Sequence, residues 1–151
     1  RIRRTDDVWT AAGITLLQDS CVDLPPRNGS TLTICGADYL SAGAGLLSAV
    51  PQRSAAPHGG ASSLLLIHEP PPADSPLSSS FDLAFAGHTH GGQLRVPGRH
   101  GLRPFHQETE TRLGGVFEWG ESLLIVSRGV GAGFLPFRFL TRPEATLWRL
   151  V

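Results

Sequence analysis

Hydrophobic and polar positions divide the chain into short elements. From Thr5 to Ala12 the pattern is short and weakly helical. Thr5 suits an N-cap, Asp6 and Asp7 suit the positive end of a helix, and Gly13 suits a stop. Ile14-Thr15-Leu16-Leu17 reads as a strand, and Cys21-Val22-Asp23-Leu24 continues in extended form. Asn28-Gly29 is a tight-turn signal, after which Leu32-Thr33-Ile34-Cys35 returns with polar residues interleaved. Ser41 to Val50 fits a short helix weakened by Gly43 and Gly45, and Pro51 to Ser63 reads as a surface loop.

Two apolar runs carry more information. Leu64-Leu65-Leu66-Ile67 is continuous, as a strand buried on both faces should be. It stops at His68-Glu69-Pro70-Pro71-Pro72, where the prolines exclude helix and central strand alike. Phe81 to Ala86 repeats the arrangement and stops at Gly87-His88-Thr89-His90. Further on, Gly114 to Trp119 and Ser122 to Ser127 predict a hairpin around Gly120-Glu121. Phe137-Arg138-Phe139 alternates like a strand with one buried face, and Ala145 to Leu150 predicts a final strand. The pattern is β-rich with few short helices and has no internal repeat. It predicts a layered α/β sandwich rather than an all-β barrel, because the two buried runs read as inner strands.

Composition narrows this only slightly. The chain has 151 residues, 40% of them hydrophobic, enough for one domain with a core. Thirteen basic and thirteen acidic residues leave a formal net charge of zero. The arginines are scattered, so the basic stripe of a nucleic-acid binder is missing. No apolar run approaches the length that spans a bilayer, and no secretory signal opens the chain. The first residue is Arg1 and there is no methionine, so the chain reads as a fragment whose targeting segment is out of view. A cytoplasmic location, or one peripheral to a membrane, is the expectation. Cys21 and Cys35 lack metal-site spacing and sit in apolar surroundings, so they are expected as small buried hydrophobes.

Six histidines are present. His58, His100 and His106 lie in polar loop sequence and read as solvated. His68, His88 and His90 follow apolar strands, and ligands of α/β sheets gather at the carboxyl ends of strands. A histidine there faces a cleft from a rigid base, and neutral imidazole is a common ligand of zinc and similar metals. His68 alone would read as a hydrogen-bonded boundary residue. His88 and His90 are bracketed by Gly87, Gly91 and Gly92, which let the backbone approach closely or take unusual angles and so aim the rings.

Gly87-His88-Thr89-His90-Gly91-Gly92-Gln93 resembles the last signature block of the calcineurin-like metallophosphoesterases. The subgroup it resembles includes UDP-2,3-diacylglucosamine hydrolases and related bacterial phosphodiesterases. The resemblance extends to Leu64–Pro70, Gly36-Ala37-Asp38, Val126 to Gly131, Pro136-Phe137-Arg138 and Pro143-Glu144. It implies that residues 1–151 are the C-terminal portion of one metallophosphoesterase domain, a layered β-sandwich of that type. It implies metal ligation by His68 and His88 at one ion and by His90 at a second, with Mn, Fe or Zn as the divalent metals. Such an ion pair clamps a phosphoryl oxygen and turns a bridging water into hydroxide for in-line attack. The implied substrate is a phosphodiester, pyrophosphate or phosphomonoester, lipid-linked ones included. Arg128 is implied as a phosphate or headgroup contact, with a structural ion pair as the equal alternative.

The family's other ligands come from Asp-x-His, Gly-Asp and Gly-Asn-His blocks, and none of these occurs here. The chain alone is therefore expected to be inactive, with no catalytic residue assigned. The partner it implies is the missing N-terminal half of the domain, and the alternative is a non-catalytic, truncated or split metal-binding module. One ion held by all three histidines is a further possibility. With neighbours in a missing half, the strands near Leu64 and Phe81 are expected to have open edges, which invite self-association.

Overall fold

The computed structural model describes residues 5–38, 61–98, 101–104, 112–133 and 135–149. The helix expected over Ser41–Val50, most of the loop Pro51–Ser63, and His58, His100 and His106 lie outside the described residues.

Helix α1 (Thr5–Ala11) ends as its sequence predicts. Gly13 takes φ +73°, the left-handed conformation that costs glycine least. The Gly13 N–H donates to the Thr10 carbonyl and the Ile14 N–H to the Trp9 carbonyl, the paired bonds of a Schellman cap. Ile14 to Leu17 then runs extended but joins no sheet, against the expected strand. Leu17 lies where a side chain on Gly36 would be, its Cβ 2.5 Å from that position, so the segment crosses Gly36 rather than pairing beside it.

Strands β1 (Ser20–Asp23) and β2 (Thr31–Gly36) are antiparallel, with Arg27 and Ser30 bridged across the Asn28-Gly29 turn. Positive φ at both Asn28 and Gly29 suits a hairpin turn whose twist matches its strands. The register places Cys21 opposite Cys35, and the two are joined in a disulfide. The expectation of two separate buried thiols is thereby corrected. The pairing depends on a register that spacing along the chain does not reveal.

Strand β3 (Ala61–Leu66) begins earlier than the apolar run. Ser62 and Ser63 belong to it by pairing with Leu32 and Thr33 of β2, and the Asp82 carboxylate accepts from both the N–H and the hydroxyl of Ser63. Strands β4 (Leu83–Ala86), β5 (Arg95–Gly98), β6 (Gly101–Pro104), β7 (Gly115–Trp119) and β8 (Ser122–Val126) follow. Six strands form a mixed sheet in the order β1-β2-β3-β4-β8-β7, and β5 and β6 form a separate two-stranded ribbon. Strands β2, β3, β4 and β8 are mutually parallel, while β1 and β7 are antiparallel edges. The β-rich mixed sheet with few short helices agrees with the metallophosphoesterase-type α/β class expected from the sequence. The open edges do not: β3 and β4 are each paired on both sides.

Ala145 to Arg149 is not a strand, and Leu147 is 96% exposed. The core lies on one face of the sheet, where Cys35, Leu65, Ala84, Ala86, Leu124 and Val126 meet Leu77, Phe81 and Trp119. The β3–β4 connection closes over this face. A 3₁₀ turn (Pro76–Ser79) inserts Leu77, the Trp119 indole N–H donates to the Pro72 carbonyl, and the Ser122 hydroxyl bonds the Phe81 carbonyl. On the opposite face Leu64 and Ile125 are buried, whereas Leu66, Val116 and Leu123 remain exposed.

Candidate metal site at the carboxyl ends of the parallel strands

Parallel pairing carries Asp38, His68, His88 and Arg128 to one end of the sheet, just beyond β2, β3, β4 and β8. Backbone bonds extend the ladders past the strand ends: Ala37 N–H to Leu66 O, Gly87 N–H to His68 O at 3.0 Å, and Ser127 N–H to Ala86 O. His68 and His88 therefore stand on adjacent, tethered strand ends. His88 Nδ1 lies 3.0 Å from His68 Nε2, and the ring centroids are 4.9 Å apart. On its other side, His88 Nε2 is 3.5 Å from Glu69 Oε1. A cleft of about 420 Å³ opens beside His68, walled by Leu17, Leu66 and Ser127. A second, smaller one, about 100 Å³, is lined by Asp38, His68, Glu69 and the prolines.

The turn that carries His88 and His90 is backbone-strained. His88, His90 and Gln93 take φ of 66°, 50° and 27°, and Gly91 and Gly92 are also positive. Non-glycine residues in this region cost on the order of 1–3 kcal/mol each and persist where surrounding structure holds them. Thr89 supplies part of the hold: its hydroxyl donates to Leu113 O and accepts from the Gly91 N–H. Gly91 is required sterically as well, because a Cβ there would stand 2.7 Å from Thr141 Cγ2 and 3.0 Å from Arg128 Cγ. The Arg128 stem lies across that glycine, and its guanidinium is 3.5 Å from Glu144.

Two side chains clamp the turn from beyond. The Gln93 amide donates to Leu135 O and Phe137 O and accepts from the Gly133 N–H. The Arg138 guanidinium donates to the carbonyls of Gly131, His90 and Arg128 at 2.7, 2.9 and 2.7 Å. This reverses the expected packing of Phe137-Arg138-Phe139. Both phenylalanines are over half exposed, while the cation turns inward to three backbone carbonyls.

His90 is brought to the same turn but not to the same gap. Its Nδ1 is buried and has no hydrogen-bond partner. Among the described residues no group of three or more His, Cys, Asp and Glu is placed to hold one ion. The geometry thus joins His68 with His88 and leaves His90 apart. Glu69 and the clamp residues received no role from the sequence, although Glu69 directly follows a strand-end histidine.

Comparison with known proteins adds the decisive observation. The chain is 33% identical over 149 residues to a Bacillus subtilis protein named uncharacterized metallophosphoesterase YkuE, covering 95% of this chain and 49% of that one. It is 38% identical over 91 residues to phosphodiesterase YaeI of Escherichia coli, covering 58% of this chain and 32% of that one. The chain belongs to the calcineurin-like metallophosphoesterases. It spans about half the length of YkuE and about a third of YaeI. No family model matches the chain, and no solved structure does. Membership in the metallophosphoesterases implies divalent metal ions. Among the described residues, no helix is long and apolar enough to cross a membrane.

Proposed function

We propose that this chain supplies part of the metal centre of a phosphoesterase, with His68 and His88 ligating one divalent ion and His90 a second. The observation that carries the reading is the 3.0 Å approach of His68 Nε2 and His88 Nδ1 at the ends of adjacent parallel strands. Two nitrogens each about 2.0–2.1 Å from one zinc ion stand on the order of 3 Å apart, so the pair fits such an ion. The buried, unpartnered Nδ1 of His90 is a second fit, since a buried polar atom normally has a partner. Nitrogen donors suit Zn, Mn and Fe alike.

When bound, divalent ions supply Lewis-acid polarisation of a phosphoryl oxygen and an activated water. The chain's own residues orient and enclose. His68 and His88 are held by the ladder ends, His90 by the Arg138 bond to its carbonyl, and the Leu17–Leu66 cleft offers room beside the pair. The substrate class is a phosphodiester, pyrophosphate or phosphomonoester, and the names of YkuE and YaeI support phosphoester chemistry. In this reading residues 1–151 are one portion of a metallophosphoesterase domain. The Asp-x-His, Gly-Asp and Gly-Asn-His ligand blocks are carried by polypeptide outside this sequence.

The test is hydrolysis of bis(p-nitrophenyl) phosphate with added Mn²⁺. The 151-residue chain alone is expected to show almost no turnover. Turnover should appear when a polypeptide carrying those three blocks is joined or co-expressed. Robust hydrolysis by the chain alone would contradict the ligand assignment. No turnover with the blocks supplied would favour a non-catalytic metal-binding module.

A further inference from the structure

His88 has a neighbour on each side of its ring. His68 Nε2 faces its Nδ1 at 3.0 Å, and Glu69 Oε1 faces its Nε2 at 3.5 Å. The two nitrogens of an imidazole point away from each other, so the carboxylate does not lie where an ion between the histidines would sit. A histidine that binds a metal through one nitrogen usually gives its other N–H to a carboxylate, carbonyl or water, which fixes the tautomer and raises ligand basicity.

We propose that Glu69 is a positioning residue for His88. Its carboxylate takes the Nε2–H, which leaves the Nδ1 lone pair directed at the gap shared with His68. The inference rests on the reading of His68 and His88 as metal ligands.

The backbone around Glu69 is suited to the task. On one side the His68 carbonyl is bonded to the Gly87 N–H. On the other, the carbonyls of Pro71 and Pro72 accept from Arg112 and Trp119. The carboxylate therefore springs from a fixed base although its side chain is 51% exposed. At 3.5 Å the contact is longer than a hydrogen bond, so the proposed bond requires the exposed carboxylate to close on the ring by a few tenths of an ångström. An exposed pair of this kind adds little to stability, so removing the carboxylate should alter the ring and its metal and leave the fold intact.

The test uses the full 151-residue chain and its Glu69→Ala and Glu69→Gln variants. Histidine ring tautomers are read by long-range ¹H–¹⁵N correlation, and Zn²⁺ affinity by competition with a chromogenic chelator at fixed pH. In the unsubstituted chain His88 is expected as the Nε2–H tautomer, with the His68 and His88 rings responding to Zn²⁺. Glu69→Ala should weaken Zn²⁺ binding by roughly 10–100-fold and mix the His88 tautomers, with an unchanged circular dichroism spectrum. Glu69→Gln keeps an acceptor oxygen and should recover much of the loss. Unaltered affinity and tautomer in Glu69→Ala, in a chain that does bind Zn²⁺ at the pair, would overturn the role of Glu69. Absence of any response at His68 and His88 in the unsubstituted chain would overturn the metal reading itself, and this inference with it.

Discussion

At the scale of single residues, strain marks the site more sharply than residue type does. Positive φ at His88, His90 and Gln93 is tolerated because Thr89, Gln93 and Arg138 hold the turn through side-chain bonds to backbone groups. Gly91 is the weakest point of this arrangement. Gly91→Ala would place a methyl within 2.7 Å of Thr141 Cγ2 at a backbone angle that alanine disfavours. We expect it to lower unfolding free energy by about 1–3 kcal/mol, read from the urea midpoint. An unchanged midpoint would mean that the turn relaxes freely. The glycines bracketing the histidines were legible in the sequence as an aiming device. The inward turn of Arg138 was not. Alternation in Phe137-Arg138-Phe139 separates two faces but does not say which one faces in, and three carbonyls decided it.

At the scale of elements, continuous apolar runs with abrupt polar stops read correctly. Strands β3, β4 and β8, the Asn28-Gly29 turn and the β7–β8 hairpin were all visible as pattern. Elements that depend on distant partners were less so. Ile14–Leu17 and Ala145–Arg149 have strand-like sequence but find no ladder, and the polar Ser62 and Ser63 enter β3 by pairing with Leu32 and Thr33 of β2. The Cys21–Cys35 disulfide belongs to this second group, since hairpin register makes it. It ties the edge strand β1 to β2 across a sequence separation of 14. For a loop of about 15 residues the chain-entropy model gives roughly 3 kcal/mol. Thiol titration of the denatured, unreduced chain should therefore find no free thiol, and reduction should lower the thermal midpoint. Two titratable thiols before reduction would remove the staple.

At the scale of the whole molecule, four parallel strands end together, and the polar residues that follow them share one rim. His68 and His88 are neighbours because β3 and β4 are neighbours. That adjacency could be suspected from two apolar runs each stopping at histidine, but pairing of the strands was needed to set the separation. His90, two residues further along the turn, forms no three-residue ligand group with His68 and His88 among the described residues. The most direct measurement is a Mn²⁺ titration of the chain followed by NMR of its histidine ring signals. Paramagnetic broadening should reach His68 and His88 first and together, at the lowest metal concentration. Broadening that began at His58, His100 or His106, with the pair unaffected, would contradict the account.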